Sequence, residues 1–132
     1  MRNKPCLTSA DVKKMMTASI GEAKKNSWKV TVAIVDDAGA LLGLERMDGA
    51  PAISSTAAPD KAKTSALTQQ PTKFWEDLVK ERPAFATFGV GLLIQGGVPI
   101  LHQGECVGAI GVSGVLSVQD EQIAQAGVAV LG

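Results

Sequence analysis

The sequence predicts an α+β fold: an antiparallel sheet of four or five strands with helices packed on it. Three observations carry that expectation. Lys29 to Asp36, KVTVAIVD, is apolar without alternation, so both of its faces must be covered. Val98 to Ser113 reads as two strands joined at a glycine turn. Capped apolar stripes at helical spacing stand near both ends of the chain. The expected order is helix, hairpin, two helices, hairpin, helix, in one domain spanning residues 1–132.

The first helix starts at Thr8, which can cap while Asp11 reaches back and Leu7 staples onto Val12. Val12, Met16, Ile20 and Ala23 form its apolar stripe, Lys13, Lys14, Lys24 and Lys25 its wet side, and Asn26 its stop. The strand Lys29–Asp36 turns at Asp36-Asp37-Ala38-Gly39 and returns as Ala40 to Met47. The hairpin's far end, from Glu45 to Ala50, concentrates charge. Arg46 and Asp48 there read either as a surface pair or as the rim of a pocket.

Ile53 to Gln70 is helical in pattern, but Pro59 inside a helix removes a hydrogen bond and costs ~3 kcal/mol. At the first turn that penalty vanishes. The helix is therefore expected to begin near Pro59, with Ile53 to Ala58 as a loop or separate turn. Pro71-Thr72 breaks it, and Lys73 to Glu81 follows as a short amphipathic helix bearing Phe74, Trp75, Leu78 and Val79. Pro83 to Leu92 is an aromatic and glycine loop, open to either ligand or partner contact. Ile94 is expected to begin a short edge strand before Gly96-Gly97.

Val98 to Gln103 then runs to a turn at Gly104-Glu105, which would set Gln103 against Cys106 and His102 against Val107. On the second strand Cys106, Gly108, Ile110 and Val112 share one face. Val107, Ala109, Gly111 and Ser113 share the other, where three side chains are very small. Such a face either admits a helix closely or leaves room for a ligand. Ser117 to Asp120 is a second capping box, and Ile123, Ala124, Gly127, Val130 and Leu131 form the last stripe. Ala124 and Gly127 suit that helix to the shaved face.

Several blocks of the chain are similar to the GlcG/HbpS family, also called the haem-degrading or DUF336 family, and to the C-terminal domain of PduO-type proteins. They are VAIVDDAGALLGLERMDGA (Val32 to Ala50), DKAKTSA (Asp60 to Ala66), and GGVPI followed by GAIGVSG and QDEQIAQAG. The resemblance spans about Val30 to Leu131. It implies a profilin-like arrangement, assembly into dimers or larger rings, and haem or a related tetrapyrrole, corrinoids included, as ligand. It also implies a helix running through Pro59, and it favours the pocket-rim reading of Arg46 and Asp48.

Thirteen basic residues balance thirteen acidic ones, so net charge suggests no nucleic-acid partner. With 45% hydrophobic and 20% charged residues, the chain has apolar surface to bury between subunits as well as in a core. No run approaches the roughly 20 apolar residues of a membrane span, and the start MRNKPCLTSADV has no apolar segment of the secretory type. A cytoplasmic location is the expectation. Cys6 and Cys106 are too far apart for a metal or redox motif and read as two buried or half-buried free thiols. His102 is the sole histidine, which rules out a two-histidine metal site within one chain, and no metal site is expected.

The candidate residues for chemistry are Lys61, Asp48 and Arg46, an amine with a carboxylate and a guanidinium. Such a set can move a proton next to a carbonyl. For a ligand the candidates are His102, Gly96, Gly97 and Ser113. A pocket is expected where Arg46, Asp48, Lys61 and the Gly96-Gly97 loop converge, closed by a neighbouring subunit. As the only imidazole, His102 is the best axial ligand for haem by chemistry. Two functions compete: a small-molecule-binding protein for haem or a related tetrapyrrole, which the resemblance implies, or an enzyme acting on a small organic acid or carbonyl compound through Lys61 and nearby carboxylates.

Overall fold

The computed structural model describes residues 1–131. Helix α1 (Ser9–Lys25) precedes the hairpin β1 (Thr31–Asp36) and β2 (Leu41–Arg46). Then come α2 (Ser54–Thr68), α3 (Thr72–Glu81), a 3-10 turn (Pro83–Thr87), β3 (Gly97–His102), β4 (Glu105–Ser113) and α4 (Ser117–Ala129). The four strands form one antiparallel sheet in the order β2-β1-β4-β3. β1 lies inside it, and Val32, Ala33, Ile34 and Val35 are all buried, as its doubly apolar sequence requires.

One face of the sheet carries α1 and α4, and the other carries α2. Met15, Ile20, Val32, Ile34, Ile110, Val112 and Ile123 make the larger core on the first face. Val35, Ala62, Ala66 and Ala109 make a thinner one on the second. The capping box of α1 forms as its sequence dictates: Asp11 N–H donates to Thr8 Oγ1 at 3.2 Å, and Thr8 N–H donates to Asp11 Oδ2 at 2.8 Å. Met15 and Ser19 are buried alongside Val12, Ile20 and Ala23, while Met16 is half-buried.

Five expectations need correction. α2 begins at Ser54 and runs through Pro59. Its stripe Ser54, Ala57, Ala58, Lys61, Ala62, Ser65, Ala66 is buried at helical spacing, and that burial offsets the hydrogen bond Pro59 cannot make. Second, the shaved face of β4 receives α2 rather than α4. A Cβ on Gly111 would meet the Ala58 carbonyl oxygen and Ala62 N, whereas one on Gly127 of α4 would meet Ser19 and Ile110 on the opposite face.

Third, the β3–β4 turn is Gln103-Gly104, both at positive φ (51° and 79°), so His102 pairs with Glu105 and Leu101 with Cys106. A register shift after Ile100 follows. Val107 therefore joins the α1–α4 core, while Cys106 sits under α2 with its thiol against the Ala66 carbonyl oxygen. Fourth, Ile94 and Gln95 form a bend, and β3 starts only at Gly97. The cap of α4 also shifts by one residue: Leu116 N–H donates to Gln119 Oε1 at 3.2 Å, and Asp120 serves elsewhere.

Candidate functional site

Lys61 is placed by the small-residue stripe of α2, whose close approach to the sheet carries its amine to the end of β4. Gly97 and Gly111 pair across β3 and β4, and a Cβ on either would strike the backbone of α2. With that floor cleared, Lys61 is only 4% exposed, and its Nζ donates to the Val112 carbonyl oxygen at 3.0 Å and to Asp120 Oδ2 at 3.2 Å. Asp120, 2% exposed, also accepts the Val115 N–H at 3.2 Å through Oδ1. Burial pushes the Asp120 carboxyl up from its ordinary value, while the Lys61 charge and the Val115 hydrogen bond pull against that rise.

Gly96, at φ +134°, lies over the amine: a Cβ there would fall 2.8 Å from Lys61 Nζ. Gly97 N–H donates to Thr72 Oγ1 at 2.8 Å, which ties β3 to the start of α3. Beside the Lys61–Asp120 pair is a groove of about 460 Å³. Ser113, Thr56 and Ser117 give it hydroxyls, and Ile53, Leu92, Ile94 and Val115 give it apolar walls. Lys61, Gly96, Gly97 and Ser113 thus share one end of the sheet. Gly96 and Gly97 are both buried, and Gly97 is filled by α2 rather than open to a ligand.

Arg46 and Asp48 do not join them. Both are exposed on the β2 side, where Arg46 Nη2 donates to the Ala50 carbonyl oxygen at 3.0 Å. Arg46, Thr31 and Ser113 are paired in one row across three strands. Ser54, however, stands over the middle of that row, its hydroxyl 2.8 Å from that of Thr31. The first turn of α2 therefore separates the guanidinium from the groove. The carboxylate that meets Lys61 is Asp120, which its place in an SVQD box marked as a cap. Its partner lies 59 residues away, a separation no local pattern encodes.

His102 lies at the opposite end of β3 from Gly97, roughly 16 Å along the strand at ~3.3 Å per residue. It is exposed on a second cleft of about 280 Å³, walled by Leu7, Ile100, Leu101, Val107 and Leu131, with Cys6 and Asp11 at the rim. Asp11 is held below the usual carboxylate range chiefly by its hydrogen bonds to Thr8, with smaller contributions from Lys14 and His102. His102 and Cys106 fall on opposite faces, as the sequence implies, although through a different register. Cys106 is a buried thiol pushed up by desolvation, and Cys6 is exposed rather than half-buried. The aromatic segment does not face this cleft: Phe85 and Phe88 stack on Trp75 of α3 at 5.8 and 5.1 Å between centroids.

A family model described as "Haem degrading protein HbpS-like" matches residues 7–129. The chain belongs to the HbpS-like family. Protein GlcG of Escherichia coli K12 is 40% identical to this HbpS-like chain over 114 residues, covering 86% of the chain and 85% of GlcG. A double mutant of Streptomyces reticuli HbpS superposes with a TM-score of 0.93 at 34% identity, covering 100% of this chain and 91% of that one. A solved structure described as a PduOC–haem complex gives a TM-score of 0.88 at 28% identity, with 95% and 94% coverage. The HbpS-like architecture agrees with the four-stranded antiparallel sheet and its four α-helices.

The donor set of the HbpS-like chain suits a haem in one place. The His102 cleft combines an exposed imidazole, a thiol across the rim and apolar walls against which a macrocycle edge can lie. The Lys61 groove offers no imidazole or thiol. Among the described residues no cluster of three or more His, Cys, Asp or Glu side chains could hold a bare metal ion, and no helix is long and apolar enough to cross a membrane.

Proposed function

We propose that this protein is a single-domain haem-binding protein, and that its ligand seat is the cleft at the far end of β3. The observation that carries the reading is the placement of His102. It is the sole imidazole of the chain, and it stands exposed beside a cleft walled by Leu7, Ile100, Leu101, Val107 and Leu131. Neutral imidazole is a strong iron ligand, and apolar walls favour the apolar edge of a tetrapyrrole. Haem is preferred to a corrinoid because a related solved structure is described as a haem complex. His102→Ala tests the reading: the Soret maximum should move and haem affinity should fall at least tenfold. An unchanged spectrum and affinity would exclude imidazole ligation.

The apolar edge of the sheet supports assembly of copies of this chain. β2 is an edge strand with Leu41, Leu42 and Leu44 exposed by 56%, 41% and 40%, and its charged residues, Glu45 and Arg46, are confined to its last two positions. The opposite edge, β3, is interrupted by Pro99. Exposed apolar edge strands pair with other strands, and isologous pairing of two β2 edges is the simplest closed arrangement.

A further inference from the structure

We infer that the groove over the Lys61–Asp120 pair is a second binding site, one for a small uncharged carbonyl compound such as a ketone, aldehyde or amide. It is separate from the His102 cleft, at the other end of β3, and stands or falls independently of haem binding. A buried ion pair is sustained only when its remaining protons and lone pairs are satisfied. Lys61 carries three ammonium protons but has two acceptors among the described residues, Val112 O and Asp120 Oδ2. Both charged side chains line the groove, so an oxygen placed there can accept the third proton. The Ser113 hydroxyl on the same wall can donate to that oxygen's second lone pair.

Charge decides the class of ligand. Asp120 already neutralises Lys61, and Asp60 adds a further carboxylate to the lining. A carboxylate ligand would face two like charges with no free cation, and a protonated amine has no lone pair with which to accept the third Lys61 proton. An uncharged acceptor meets neither penalty. The remaining walls, Ile53, Leu92, Ile94 and Val115, favour a short apolar body behind the oxygen.

The test is a titration of the full chain with 2-butanone and, separately, with butanoate, followed by two-dimensional amide NMR. Saturable shifts concentrated at Lys61, Ser113 and Val115, with butanoate at least tenfold weaker, are expected. Lys61→Met combined with Asp120→Asn removes both charges together, so that neither is left buried alone, and should abolish the shifts. If that double variant does not fold, Ser113→Ala keeps the pair and should weaken butanone several-fold. Absence of saturable shifts, butanoate binding as tightly as butanone, or full binding by the variant that folds would overturn the inference.

Discussion

Replacing Gly111 by alanine should cripple this fold while adding a single methyl group. The new Cβ would lie 2.5 Å from Ala62 N and 2.9 Å from Ala62 Cβ, and nearer still to the Ala58 carbonyl oxygen. Ordinary contact begins at 3.4 Å, and two of the three atoms are helix backbone that cannot rotate away. α2 must therefore lift as a body. Overpacking of this kind costs about 1–3 kcal/mol. The lift also stretches the bonds from Lys61 to Val112 and Asp120, and a hydrogen bond to a charged group contributes about 1.5–3 kcal/mol. A total near 3 kcal/mol or more is expected, a large share of the ~5–15 kcal/mol that holds a domain. Urea unfolding should show a lower midpoint with an unchanged slope. A loss below about 0.5 kcal/mol, the scale of a neutral surface change, would refute the close-packing argument.

Other expectations follow from the same geometry. Gly21→Ala is the counterpart on α1: nothing lies within 4 Å of its Cβ position, so the variant should gain about 0.5–1 kcal/mol in the same unfolding assay. Burial raises the folded-state value of Asp120 above that of the unfolded chain, so its contribution is fully present below the ordinary carboxylate value and lost as pH rises through the raised one. Asp120→Asn cannot titrate; its stability relative to the parent should therefore improve from acid to neutral pH, and a constant difference would contradict this. Leu44→Lys on the exposed β2 edge should shift light-scattering mass to that of one chain, whereas a parent that is already monomeric at micromolar concentration would sink the edge-pairing proposal.

The parts of the fold that are local in sequence are the ones the sequence displays. Thr8 and Asp11 sit three residues apart, so their mutual cap is visible in the string, and the unbroken apolar run of β1 announces a strand covered on both sides. The smallness of Ala109 and Gly111 announces close packing too, but not the identity of what packs. Small faces on α2 and α4 fit that role equally well, and only the tertiary arrangement selects α2. Pro59 conceals the stripe from Ser54 to Ala66, because its local penalty is legible while the burial that outweighs it is not. The register shift near Cys106 and Val107 depends on a two-residue turn one position earlier than the glycine-glutamate pair suggests. At the candidate site, Lys61 and Gly96 are adjacent as their blocks imply. The acid that completes the pair is Asp120, hidden behind its resemblance to a helix cap, and Arg46 is screened off by Ser54.

The haem proposal meets its most direct test in a titration of the purified chain with haemin, read by absorbance. A Soret band that moves from its free position and saturates at one haem per chain is expected, with imidazole-type ligation in the spectrum. A featureless titration with no saturable Soret shift, or equal saturation by His102→Ala with the same maximum, would contradict the assignment of the β3 cleft as the haem seat.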